Sequence, residues 1–266
     1  MKATVKYQLE LFWLALSFFS RLPVPADVPY SEQRMNQAGR YFSLVGVLLG
    51  LLCALCYLWL SLWLPVSVAV IVTMTFSLLL TGAFHEDGLT DMADGVGGGM
   101  TTESRLTIMK DSRIGTYGAA TLCLALVGKF VLLSELAAAL PMLMVWIMAY
   151  SLSRAVAASL IYDLPYVSDT DTSKSKPLAS RQSKRELILL LLIGLIPLIA
   201  FSPLTILTVI LVMVVVRYSF KSWLLSRLGG FTGDCLGALQ QIAELAIYFI
   251  LVALAHNGWL VMGGIA

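Results

Sequence analysis

The stretch GAFHEDGLTDMADGVGGGM, residues 82–100, carries Glu86, Asp87, Asp91 and Asp94, four carboxylates in nine residues. On a helix turning about 100° per residue, Asp87, Asp91 and Asp94 fall within about 60° of one another, with Glu86 offset. Like charges that close raise some of their own pKa values unless a cation sits among them. Hard oxygen ligands on a partly open face suit Mg²⁺ or Mn²⁺, and Mg²⁺ takes one or two carboxylates together with waters and a substrate phosphate. The plain alternative is a solvated acidic loop. Against it, Gly88 and Gly95 each cost a helix about 1 kcal/mol relative to Ala, which points to close approach or a turn. GVGGG at 95–99 then reads as mobile backbone whose N–H groups can face an anion.

Basic residues follow. MKDSRIGTYGA, residues 109–119, sets Lys110, Ser112 and Arg113 before an apolar run, with Gly115 and Gly118 close behind. Lys binds phosphate as a point charge and Arg as a fork, and a helix start offers free N–H groups. The alternative for each is a membrane anchor. Lys129, Arg154 and Arg217 lie inside apolar runs, the two arginines about 12 Å from the nearer end of theirs at a helical rise. An Arg in hydrocarbon costs at least roughly 2.5 kcal/mol, so it faces a cavity, a partner or the headgroups. For Lys129 the sequence offers Glu135 as a partner. Together the three residues outline a polar vestibule. Metal-binding carboxylates facing Arg and Lys across such a space are the parts for phosphoryl transfer. No P-loop, kinase set or Ser/His/Asp constellation is readable, His85 serves as ligand or supporting donor, and His256 lies at the far side.

The elements that position these groups belong to a membrane. The chain of 266 residues is 59% hydrophobic and 13% charged, against roughly 45–50% and 25% in soluble domains. This predicts one all-α polytopic membrane domain over 1–266, with about seven spans at 41–63, 66–84, 116–139, 142–162, 187–202, 204–225 and 236–255. The shorter run at 8–20 reads as an interfacial helix rather than a cleaved signal, since RLPVPADVP offers no small-residue cleavage site. Tight turns at LPVS, ALPM and FSPL lack Lys and Arg. The opposite face holds Arg21, Arg34, Arg40, Arg105, Lys110, Arg113, Lys174, Lys176, Arg181, Lys184, Arg185 and Arg227, and is expected to be cytoplasmic. That places the acidic site on the cytoplasmic side of the membrane. The net charge of +2 gives no basic stripe for nucleic acid. Cys53, Cys56, Cys123 and Cys235 read as membrane thiols without a disulfide framework. Membrane lipid is an expected partner, and the sequence leaves a homo-oligomer open.

EDGLTDMADG, MKDSRIGTYG and RLGGFTGDCLGA (227–238), in this order between apolar spans, resemble the adenosylcobinamide-GDP ribazoletransferase family, also called cobalamin 5′-phosphate synthase. The resemblance covers nearly the whole chain. It implies attack by the ribose 3′-hydroxyl of α-ribazole, or its 5′-phosphate, on the cobinamide-side phosphorus of adenosylcobinamide-GDP, with release of GMP. It also implies Mg²⁺ as the metal. Glu86, Asp87, Asp91 and Asp94 would take the metal and base roles, with Asp87, Asp91 and Asp94 as the catalytic set. Lys110, Asp111, Ser112 and Arg113 would hold the diphosphate or nucleotide end, and Gly229, Gly230, Thr232, Gly233 and Asp234 would close the site. The last motif has a plain reading as a Gly-rich turn. Two other functions compete. A CDP-alcohol phosphotransferase of lipid synthesis shares the metal chemistry, but its Asp-Gly-x-x-Ala-Arg element is absent, since Asp91 and Met92 occupy the Ala and Arg places. A transporter is motivated by the intramembrane Arg and Lys, but neither a broken span nor related halves is visible.

Overall fold

The computed structural model describes residues 2–167 and 180–259; Lys174 and Lys176 lie outside the described residues. Among those described, the chain is helical, with a single isolated bridge between Tyr166 and Phe231. The helices are α1 (Lys2–Phe19), α2 (Glu32–Ala38), α3 (Phe42–Leu60), α4 (Val66–Thr81), α5 (Phe84–Gly98), α6 (Thr102–Met109), α7 (Thr116–Ala139), α8 (Met142–Ala158), α9 (Lys184–Leu195), α10 (Pro203–Arg227) and α11 (Gly233–His256).

Among the described residues, five helical segments are long and apolar enough to cross a bilayer: Glu32–Leu60, Thr116–Ala139, Met142–Tyr162, Pro203–Arg227 and Gly233–His256. Two predicted spans differ from this set. The run at 66–84 stops being one helix at Thr81, where Gly82 and Ala83 both adopt left-handed backbone (φ 66° and 55°), and α5 leaves α4 at 86°. Counting that bent pair as one span gives six. Hydropathy runs straight through this corner, so the sequence hides it. The run at 187–202 is a 12-residue α-helix followed by a 3₁₀ turn, Ile196–Ala200. Pro197 accounts for the change, because it lacks the N–H that an α-helix needs there. The predicted interfacial run 8–20 belongs to the longer α1, which is tied to α2 and α3 through Tyr7–Gln37, Glu10–Arg34 and Gln8–Tyr41.

At the centre stands α8, buried along nearly its whole length. Gly46 and Gly50, one turn apart on α3, lie against the α8 backbone at Tyr150 and Trp146. Small residues at this spacing let two membrane helices touch backbone to backbone. Ends of several helices gather on one face: Arg40 at the start of α3 pairs with Glu186 at the start of α9, and Thr102 bonds the last carbonyl of α10. Arg105 ties the ends of α5 and α10 together by donating to Gly99 O, Met100 O and Arg227 O.

Candidate active site

The corner at Gly82 and Ala83 turns α5 against α7 and α11, and this places the acids. Gly88 is what lets α5 lie on α11. A Cβ there would stand 2.9 Å from Asp234 O and 3.3 Å from Gly237 Cα. This approach brings Asp87, which is exposed, close enough to Asp234 that the two carboxyls interact as like charges. Thr232 caps α11 by accepting from the Cys235 N–H, and its hydroxyl lies 3.4 Å from an Asp234 oxygen. The Gly-rich motif therefore does two jobs. Gly229 (φ 76°) ends α10, Gly230 packs on Pro165 O, and the turn then presents Gly233 and Asp234 to α5.

The four acids of the opening stretch do not gather as one set. Glu86 turns inward, is 6% exposed, and accepts from Gln241 Nε2 at 3.0 Å. Asp94 accepts the Gly115 N–H at 2.7 Å and the Gly118 N–H at 2.8 Å, so it caps the start of α7. A side chain on Gly118 would collide with this carboxylate. The helix-start N–H groups expected to face a phosphate are thus occupied by Asp94. GVGGG is also not mobile backbone: α5 stays helical through Gly98, and Gly95 packs against Met109 and Arg105 O. Asp87 and half-buried Asp91 remain at the surface of the site with Asp234. Among the described residues, no three or more His, Cys, Asp or Glu side chains stand together as a metal-holding group.

The loop between α6 and α7 leads directly into the Asp94 cap, which brings Lys110, Asp111, Ser112 and Arg113 beside α5. Lys110, Ser112 and Arg113 are exposed. Arg113 donates to Asp111, at 2.6 Å through its terminal nitrogen, and these hydrogen bonds raise the guanidinium's pKa further above its ordinary value. It is cationic throughout the working pH range. The three basic residues inside the spans separate. Arg154, 3% exposed, donates to Tyr150 O at 3.0 Å, lies over the Tyr150 ring, and has its Nε buried without a partner among the described residues. With His85, Gly233, Gly237 and Gln240 it lines a cavity of about 20 Å³, space for about one water. His85 stacks on Phe19. Arg217 instead bonds Ser159 and Asp163, and Lys221 bonds Asp163 from the same helix.

Lys129 pairs with Glu244 at 2.6 Å rather than with Glu135, which stays exposed. Six residues along a helix rotate a side chain by about 120°, so Glu135 faces away. Glu244 also accepts from Gln240 at 2.7 Å and from the Tyr248 hydroxyl at 3.0 Å, and Gln240 takes the Gln241 amide at 2.9 Å. This buried network ties α7, α8 and α11 beneath the acids, and Gln241 carries it to Glu86 on α5. The sequence reading missed it. Its signal was a carboxylate deep in the last apolar run, which requires a cation from another helix.

The chain matches the family model Cobalamin-5-phosphate synthase over residues 11–252. It is 62% identical over 256 residues to an adenosylcobinamide-GDP ribazoletransferase of Vibrio parahaemolyticus, covering 96% of this chain and 97% of that protein. A protein of the same description from Vibrio vulnificus is 65% identical over 253 residues, covering 95% and 99%. One from Shewanella pealeana is 48% identical over 249 residues, covering 93% and 96%. No solved structure matches the chain. With the motifs on α5, the α6–α7 loop and α11 converging on one face and the match running nearly end to end, the chain belongs to the cobalamin-5-phosphate synthase family, whose members are transferases of cobalamin biosynthesis.

Proposed function

We propose that the protein transfers the adenosylcobinamide-phosphate group of adenosylcobinamide-GDP to the ribose 3′-hydroxyl of α-ribazole or its 5′-phosphate. The products are GMP and adenosylcobalamin or its 5′-phosphate. The observation that carries this reading is the close approach of α5 to α11 at Gly88, which sets neighbouring Asp87 near Asp234, in a chain whose relatives bear that enzyme's name. One or two carboxylates are the hard-oxygen donor set that Mg²⁺ takes alongside a substrate phosphate, so a larger acidic cluster is not required. Asp87 and Asp234 would hold the ion, which when bound supplies charge neutralisation at the diphosphate.

The chain's own residues do the rest. Arg113 and Lys110, exposed at the rim, receive the diphosphate. A carboxylate oxygen of this acidic site, on Asp87, Asp91 or Asp234, accepts the proton of the attacking hydroxyl. The new P–O bond forms as the bond from that phosphorus to the bridging oxygen breaks, and GMP leaves. Asp94 and Glu86 act from behind, the first by fixing the α6–α7 loop on α5 and the second by joining α5 to α11.

Seven spans follow if α9 and its 3₁₀ continuation also cross, with α1 lying in the interface. The site then faces the cytoplasm of a bacterial inner membrane, a reading supported by Arg21, Arg34, Arg40, Arg105, Lys110, Arg113 and Arg227. The test is to incubate the purified protein in lipid nanodiscs with adenosylcobinamide-GDP, α-ribazole and Mg²⁺ and to separate the products. GMP formation dependent on both substrates and on Mg²⁺ is expected. Absence of GMP contradicts the reading.

A further inference from the structure

Arg21, just past the end of α1, is exposed, yet its position is closely set. Its backbone N–H donates to Leu80 O at 2.7 Å, and the Ser20 hydroxyl holds the turn around it by accepting from Leu22 N at 3.3 Å. The end of α1 is thus tied to the end of α4. Phe18 and Phe19 join it to the start of α5 as well, Phe18 edge-on to Phe84 at 5.1 Å and Phe19 stacked on His85 at 5.6 Å. The Arg21 side chain then folds over the α4–α5 corner. A Cβ on Gly82 would stand 2.5 Å from Arg21 Nε and 3.0 Å from a terminal guanidinium nitrogen, so this glycine both takes the left-handed turn and leaves room for the guanidinium. Among the described residues the guanidinium has no hydrogen bond or ion pair.

The corner lies beside the acids. Ala83, next to Gly82, accepts the Asp87 N–H at 2.9 Å, which puts Asp87 one helical turn away. Phe19 and Gly233 line the same cavity of about 20 Å³, so the end of α1 also lies next to the start of α11, where Asp234 stands. Lys110 and Arg113 belong to the other end of α5. They precede Gly115, whose N–H is accepted by Asp94, and Asp94 is about 10 Å along the helix from Asp87. Cations therefore flank the acids from two sides. In phosphoryl transfer the attacking and leaving oxygens stand roughly in line through the phosphorus. With the diphosphate at Lys110 and Arg113, GMP departs toward that end and the attacking hydroxyl arrives from the end that Arg21 occupies.

We infer that Arg21 binds the 5′-phosphate of the acceptor, and so selects α-ribazole 5′-phosphate over α-ribazole. A phosphomonoester carries about −1.5 to −2 charge and three acceptor oxygens at neutral pH, and a guanidinium without protein partners can meet two of those oxygens at once. Unphosphorylated α-ribazole has no such group to offer. The inference rests on the transferase reading and chooses between the two acceptors named there.

The test compares acceptors. GMP release from adenosylcobinamide-GDP is measured with α-ribazole 5′-phosphate and with α-ribazole, for wild type, Arg21→Gln and Arg21→Lys in nanodiscs. Wild type should favour the phosphorylated acceptor in kcat/KM. Arg21→Gln should raise KM for α-ribazole 5′-phosphate at least about 10-fold, the loss of one charged contact, while kcat/KM for α-ribazole and KM for adenosylcobinamide-GDP stay unchanged. Arg21→Lys keeps the charge that a membrane anchor needs but not the fork, and should still raise KM for the phosphorylated acceptor. An equal loss with both acceptors overturns the inference, since it would mark Arg21 as a contact of the donor or a support of the corner. An unchanged KM for the phosphorylated acceptor in Arg21→Gln overturns it too. So does an effect of Arg21→Gln that follows the phosphatidylglycerol content of the nanodisc and not the acceptor, which would mark a lipid phosphate as the occupant. A wild type that forms no GMP with either acceptor overturns the transferase reading and this inference with it.

Discussion

Asp94 and Glu86 sit among the acids that suggested a metal, yet each has a protein partner that decides its role. Asp94 receives two backbone N–H groups at the start of α7, where a carboxylate is stabilised by both hydrogen bonds and the helix dipole. Asp94→Asn should therefore lower stability by about 1–2 kcal/mol, since an amide can replace only part of that interaction. Thermal unfolding followed by a thiol-reactive dye checks this, and turnover below the melting range should fall less than in Asp87→Asn. Glu86→Gln keeps an acceptor for Gln241 and should leave the Mg²⁺ response of turnover intact; a loss as deep as that of Asp87→Asn would return Glu86 to the metal. Helical spacing already set Glu86 apart from the other acids. It could not separate Asp94 from Asp87, because the groups that claim Asp94 lie 21 and 24 residues further on.

The elements hold the site through contacts that leave weak traces in sequence. Apolar runs marked the helices, but the corner between α4 and α5 depends on two consecutive left-handed residues, one of them an alanine. No propensity announces that. The same holds for the Lys129–Glu244 pair, which joins α7 to α11 and selects Glu244 over the nearer Glu135. Removing one partner of a buried pair strands the other charge at a cost of about 3–5 kcal/mol, whereas removing both is often close to neutral. Lys129→Met should accordingly fold poorly, and the double variant Lys129→Met with Glu244→Met should recover most of the yield. Size-exclusion profiles after detergent extraction read this directly. If the double variant were worse than the single, Lys129 would have a role beyond pairing. Arg154 and Arg217, grouped by depth alone, part company because Asp163 stands beside one and Tyr150 beside the other.

At the scale of the molecule, the sequence conveyed a helical protein with several membrane-length apolar helices, since periodic apolar runs are an additive signal. The count of spans was less legible, because a bent pair and a proline-shortened helix read as ordinary apolar stretches. Orientation is tested in a variant lacking native cysteines: Gly98→Cys should react with an impermeant maleimide only from the cytoplasmic side, and Pro203→Cys only from the other. The reverse pattern would remove the acids from cytoplasmic nucleotides. The central claim is that Asp87 on α5 and Asp234 on α11 form one catalytic centre. It is tested most directly by Mg²⁺ titrations of GMP release in wild type, Asp87→Asn, Asp234→Asn and the double variant. Each single change should cost at least about 10² in turnover, and the double variant should lose far less than the product of the two, because groups acting on one transition state are not additive. Wild-type turnover and Mg²⁺ dependence in Asp234→Asn would contradict the account.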